Sequence, residues 1–275
     1  MLNKHTIRNL AFCSLATALF GAGQNAFAHT SVKDQATEGV SSYNALQIGH
    51  TCELENGRKI PVIAQSVVFP TASPTVTQSL VTNAKASPAT TQVTPTTLDA
   101  EITDPLGLAG KADLVQDKNI FKRQNEVYDG NGNLIGFNGT QGNLQTNLRG
   151  LVPFRISTPV PFFKATSCAK RMVVKIAVAD ICKKTFPPKP GTANLWMPST
   201  TGKFTDSSID GVGAAAALTI NRDTTKNPLP AGCPIDDGAP LDKTTKLPIA
   251  GYDLIVTPTP EDIDAHLPIK GYWGR

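Results

Sequence analysis

Aromatic side chains are scarce in this 275-residue chain, at 6%, with four tyrosines and two tryptophans. That is poor material for the flat aromatic plane that carbohydrate-active proteins offer a sugar ring. Charged residues make up only 17%, and no basic stripe or arginine cluster occurs. Nucleic acid is therefore disfavoured as a partner, because neutralising phosphates needs clustered Lys and Arg. No C-x-x-C pair is present, which removes the commonest thiolate metal sites. G-x-S-x-G and a phosphate-binding glycine loop are both missing, so neither a serine hydrolase nor a nucleotide site is readable. After residue 28 no apolar run is long enough to span a bilayer; residues 213–218 are too short. No transmembrane segment is expected in the mature chain.

The opening segment, MLNKHTIRNLAFCSLATALFGAGQNAFA, has a charged start (Lys4, Arg8), an apolar stretch, and Ala26 and Ala28 flanking Phe27. It reads as a secretory signal peptide, residues 1–28, with an A-x-A cut. Cys13 follows the bulky Phe12, which disfavours a lipobox, and leaves with the signal. The mature chain then has 24 basic and 22 acidic residues, begins at His29, and is periplasmic or secreted. A terminal histidine offers two nitrogen donors on one residue, the free α-amine and imidazole Nδ1. Together they can close a chelate ring, and such nitrogens suit a tetragonal Cu(II) site better than Ca or Mg.

Four cysteines remain: Cys52, Cys168, Cys182 and Cys233. In an exported protein an even count argues for two disulfides, with three possible pairings. Plentiful Thr, Pro, Gly and Val favour strands and turns. Residues 40–48 alternate, with Val40, Tyr43, Ala45 and Ile48 among polar neighbours as in a half-buried strand. A second strand runs over 61–70 and ends at a proline. Residues 71–98 read as a long connection with some extended pieces. Residues 125–137 form a hairpin around an Asp-Gly/Asn-Gly turn; Asp129, Asn131 and Asn133 look like the start of a calcium loop, but the downstream glutamate is missing. Further strands are expected at 152–156, 194–198 and 216–220, and the strongest, central one at 171–182. From about Asn227 the chain is proline-rich and should wrap the surface or extend from it, pinned by Cys233. The fold class is all-β: an antiparallel, immunoglobulin-like β-sandwich over 29–225, with an insertion at about 71–150 and an extension over 226–275.

Three pieces occur in order: HTSV at the mature start, His50-Thr51-Cys52-Glu53 after the first strand, and Ala179-Asp180-Ile181-Cys182 followed by Asn194-Leu195-Trp196-Met197-Pro198. This order resembles the YcnI-like secreted copper-binding family, whose members start with H-V-T-V and carry H-G-C, Q-T-C and W-x-x-P elements. The resemblance covers about 29–70 and 150–225. It implies a Cu(II) site in which His29 chelates through its amine and ring, Trp196 covers the ion, and either His50 or Glu53 completes the set. It also implies Cys52–Cys182 and Cys168–Cys233 pairing. His266 reads as a surface residue, and Trp273 as a cover for exposed apolar surface or a disordered end.

The expected function is copper trafficking, storage or acquisition outside the cytoplasm, with exchange to a membrane copper transporter or another carrier. A copper-dependent polysaccharide monooxygenase is the alternative; it needs a second histidine, which His50 would supply, and an aromatic substrate face. The third reading is a metal-free extracellular β-sandwich.

Overall fold

The computed structural model describes residues 29–71, 73–104, 112–185, 189, 191–205, 214–237 and 249–273. The signal segment and its cut lie outside these residues. In chain order the first strands are β1 (Ser31–Val32), β2 (Ala36–Thr37), β3 (Ser42–Ile48), β4 (Cys52–Glu53), β5 (Lys59–Ile60), β6 (Ala64–Val68), β7 (Thr75–Asn83) and β8 (Thr90–Pro95). After helix α1 (Leu98–Glu101) come β9 (Ala112–Leu114), β10 (Phe121–Tyr128), β11 (Leu134–Gly142), β12 (Gly150–Ile156) and β13 (Ala169–Ile181). The chain closes with β14 (Ala193–Trp196), β15 (Ala216–Asn221), β16 (Tyr252–Thr257) and helix α2 (Pro260–His266).

A four-stranded sheet, ordered β1-β3-β12-β9, packs on a ten-stranded sheet that runs β10-β11-β6-β13-β16-β7-β8, with β14, β15 and β2 attached. Pairing is antiparallel except for β13 with β16 and β15 with β2. Leu46, Ile48, Val152 and Phe154 of the small sheet share one core with Val67, Phe69, Phe137 and Ile176 of the large one. Phe154 lies 6.3 Å from Phe69 and 6.4 Å from Phe137, ring centre to ring centre. This is an all-β sandwich.

Strand β13 is the axis of the large sheet. Its C-terminal half pairs with β6 and β14, and its N-terminal half with β15 and β16. Val174, Ile176 and Val178 face the sandwich core, while Ala177, Ala179 and Ile181 face a second core under α2. Burial on both faces over residues 176–181 explains why that half of the strand reads as an apolar run broken only by Asp180, while the first half alternates and carries Lys170, Arg171 and Lys175.

Three expectations change. In β3 the inner row is Asn44, Leu46 and Ile48, whereas Tyr43 is 74% exposed. Ala45 and Ile48 are buried as expected while Val40 and Tyr43 are exposed, and Asn44 is accepted inside because its side chain bonds the Asp34 backbone at both ends and the Ala45 N–H. Residues 71–98 are no plain connection: β7 and β8 form a hairpin, joined to the sheet through β16. Every residue of β8 is exposed, so no apolar alternation announced it.

The proline-rich tail is the third change. It supplies β16, beside β13 near the middle of the sheet, with Leu254 and Val256 fully buried. Its prolines sit beyond the strand, where no ladder donor is lost; Pro260 starts α2 after the Thr259 cap. Trp273 is 1% exposed and packs on Phe204. The 129–133 turn behaves as turn chemistry: Asp129 Oδ1 accepts from the backbone N–H of Asn131 and Asn133.

Candidate functional site

The site lies where β6, β13 and β14 end side by side. Their register sets Gln65, Asp180 and Asn194 in one row across the three strands, with Val67, Val178 and Trp196 in the next row on the same face. At one end, β1 pairs with β3, Ser31 opposite Gln47, and so delivers the residues just before it onto this row. At the other end, the Cys52–Cys182 disulfide binds the His50-Thr51-Cys52 loop to the end of β13. The second disulfide, Cys168–Cys233, lies at the opposite end of β13.

The two histidines meet on one indole. The His29 ring centre is 4.8 Å from that of Trp196, tilted by 47°, and the His50 ring approaches the same indole edge-on at 5.6 Å. Trp196 is 3% exposed, while His29 is exposed and His50 half-buried. His50 Nδ1 is 2.7 Å from the Thr51 carbonyl. A carbonyl only accepts, so Nδ1 carries the proton and Nε2 holds the free lone pair of the neutral ring. This is the arrangement in which a ligating histidine has its other nitrogen fixed by a backbone oxygen. With Nδ1 a donor, the Asn194 Nδ2 at 3.5 Å is a neighbour and not a hydrogen-bond partner.

Glu53 is exposed and stands in a cleft of about 540 Å³ that His50, Lys59 and Asn194 also line. Its backbone carbonyl packs against Gly191, where a Cβ would come within 2.3 Å; the positive φ of 71° also favours glycine there. Of the two candidates for completing the set, His50 therefore stands on Trp196 and Glu53 stands beside it in the cleft.

Beneath the indole lies a carboxylate that motif reading did not single out. Asp180 is fully buried; its Oδ2 accepts from Thr30 Oγ1 at 2.6 Å and from Trp196 Nε1 at 2.8 Å, and its Oδ1 from Gln65 Nε2 at 2.8 Å. Thr30, itself buried, follows His29 directly, so Asp180 fixes both the segment that carries His29 and the tryptophan under its ring. In the sequence it stood within the 179–182 motif and is the one acidic residue of β13, whose other charged residues are Lys170, Arg171 and Lys175.

Burial pushes the Asp180 carboxyl above the ordinary carboxylate range; its three hydrogen bonds and the nearby His50 pull the other way. A raised folded pKa makes this group's contribution complete below the ordinary aspartate range and progressively lost as pH rises through the folded value. Asp180→Asn should then be tolerated and should flatten that part of the pH profile. The Gln65 Oε1 is buried without a partner, so the Gln65 amide can turn to accept from the new Asn nitrogen. Urea unfolding across pH 4–8 checks this; a parallel loss of stability at every pH would contradict it.

Among the described residues no group of three or more His, Cys, Asp or Glu side chains is placed to hold a metal. A terminal α-amine is not a side chain, so a site built from it and two imidazoles falls outside such a group. No known protein family, curated protein or solved structure matches this chain.

Proposed function

We propose that the mature chain is an exported copper-handling protein that binds Cu(II) at its N-terminus, a reading that draws on its resemblance to the YcnI-like family. The observation that carries the reading is the convergence of His29 and His50 on one buried indole. In the uncut chain the His29 nitrogen is a non-basic amide; signal removal turns it into an amine beside an imidazole. The available donors are then an amine and two imidazoles, a nitrogen set matched to Cu(II). All four mature cysteines are in disulfides, so no thiolate competes for the ion.

Copper here is cargo. His29 is exposed, which suits exchange with a membrane copper transporter or another carrier, and Trp196 backs the ion on the protein side. The monooxygenase reading draws on the same second imidazole. It lacks a sugar-facing ring at the site, since Trp196 is 3% exposed.

Cu(II) titration followed by EPR tests the proposal. His50→Ala should remove one nitrogen from the superhyperfine pattern and weaken binding roughly tenfold, the scale of losing one supporting ligand. Glu53→Gln should change neither. Failure of the mature chain to bind Cu(II) would sink the reading, and an unchanged His50→Ala spectrum would remove His50 from the set.

A further inference from the structure

A second cleft, of about 620 Å³, opens between the outer face of the β10–β11 hairpin and the segment that follows α2. It shares no residue with the His29–Trp196–His50 site. Its size falls in the range of about 300–1,000 Å³ usual for ligand sites. Its charge has one sign: Arg123 comes from β10, Lys184 from the loop after β13 and Lys270 from the C-terminal segment, and no Asp or Glu lines it. Three separate elements thus bring cations to one space. Neither Arg123 nor Lys270 has an ion-pair partner among the described residues. An anion in this space would meet cations from all three elements.

The hairpin wall adds neutral hydrogen-bonding groups. Asn125, Asn138 and Thr140 face the cleft, and the Asn125–Asn138 contact at 3.5 Å is long, leaving amide donors and acceptors for a ligand. The end of the cleft is built firmly. The Gln141 backbone N–H donates to the Tyr272 hydroxyl at 2.9 Å, with Gln141 at φ 55°, the one non-glycine residue in that region among those described. Lys184 Nζ lies 4.4 Å over the Tyr272 ring, which holds its ammonium at the wall.

We propose that this cleft binds an acidic oligosaccharide, its acid groups on Arg123, Lys184 and Lys270 and its hydroxyls on Asn125, Asn138 and Thr140. The mixture of cations with amides and a hydroxyl matches a ligand that is both charged and polyhydroxylated. An acidic peptide fits less well, because the cleft crosses the face of the hairpin and not the free edge of β10, so it offers no backbone ladder. A protein carrying both sites would hold copper against an anionic glycan outside the cytoplasm; the glycan site itself does not depend on the copper reading.

The test uses metal-free mature protein, titrated calorimetrically at low salt with a short oligogalacturonate and with a sulfated heparin fragment. At least one should bind. The Arg123→Ala/Lys270→Ala variant, whose two side chains are exposed and whose thermal unfolding should match the parent, is expected to bind about tenfold more weakly or worse. Methyl-esterified oligogalacturonate, with the hydroxyls but without the charge, should lose a similar factor. The proposal is overturned if neither acidic glycan binds, or if the double variant or the ester binds as well as its reference. It also fails if oligoglutamate of equal charge binds as tightly, which would mark an acidic-peptide site, or if inorganic phosphate at equal concentration displaces the glycan.

Discussion

Adding one methionine before His29 is expected to weaken Cu(II) binding on the order of 100-fold, about 2.7 kcal/mol. The addition leaves every side chain of the fold in place and changes one atom's chemistry: the His29 nitrogen becomes an amide. An amide nitrogen is a poor donor until it loses its proton, so the five-atom approach of amine and ring to one ion is lost, and imidazoles remain. His29→Ala should do the same from the other side, keeping the amine and losing the ring. Competition titration against a chelator of known affinity measures both, and EPR should report fewer bound nitrogens in each. Equal affinity and equal spectra for native and extended termini would exclude the terminal chelate, whatever copper does elsewhere on the protein.

Removing the Cys52–Cys182 bond with a Cys52→Ala/Cys182→Ala double variant should have the largest effect on stability. The bond spans 130 residues of sequence, and closing a loop of that size corresponds to about 4–5 kcal/mol of denatured-chain entropy. For a domain of this length that is a fall of roughly 10–15 °C in Tm. The Cys168–Cys233 bond spans 65 residues, and its removal should cost a similar amount, about 4 kcal/mol. The two variants should differ in copper binding. Only the first frees the His50 loop from the end of β13 and from Trp196, so only the first should lose the His50 contribution to the EPR spectrum. Calorimetric unfolding paired with Cu(II) titration on the two variants makes the comparison; identical copper behaviour would mean that the bond has no part in holding His50.

The strands that carry the sandwich were legible where burial is one-sided or complete. The 171–182 run became β13, and the Asp-Gly/Asn-Gly segment became the turn between β10 and β11, because apolar runs and turn residues act through local sterics. β8 was illegible because a fully exposed strand has no apolar side to display. β16 was illegible because the prolines around it suggest a surface tail, while the Tyr252–Thr257 stretch itself is free of them. The burial of Asn44 in β3 depended on its finding partners on Asp34, a contact between residues ten apart that no alternation rule contains.

The candidate site divides in the same way. His29, His50, Glu53 and Trp196 could be named from motif order alone, and the even cysteine count pointed to two disulfides. What sequence by itself determined was therefore an all-β chain of half-buried strands and the list of groups with chemistry to offer. Those properties follow from each residue and its near neighbours. Tertiary structure decided which groups meet: that two histidines share one indole, that His50 and not Glu53 stands on it, and that Asp180 ties Thr30, Gln65 and Trp196 together beneath. Residues 30, 65, 180 and 196 are distant along the chain, and strand register on one sheet face is what brings them within hydrogen-bonding distance. It likewise gathered Arg123, Lys184 and Lys270, scattered in sequence, around a single cleft.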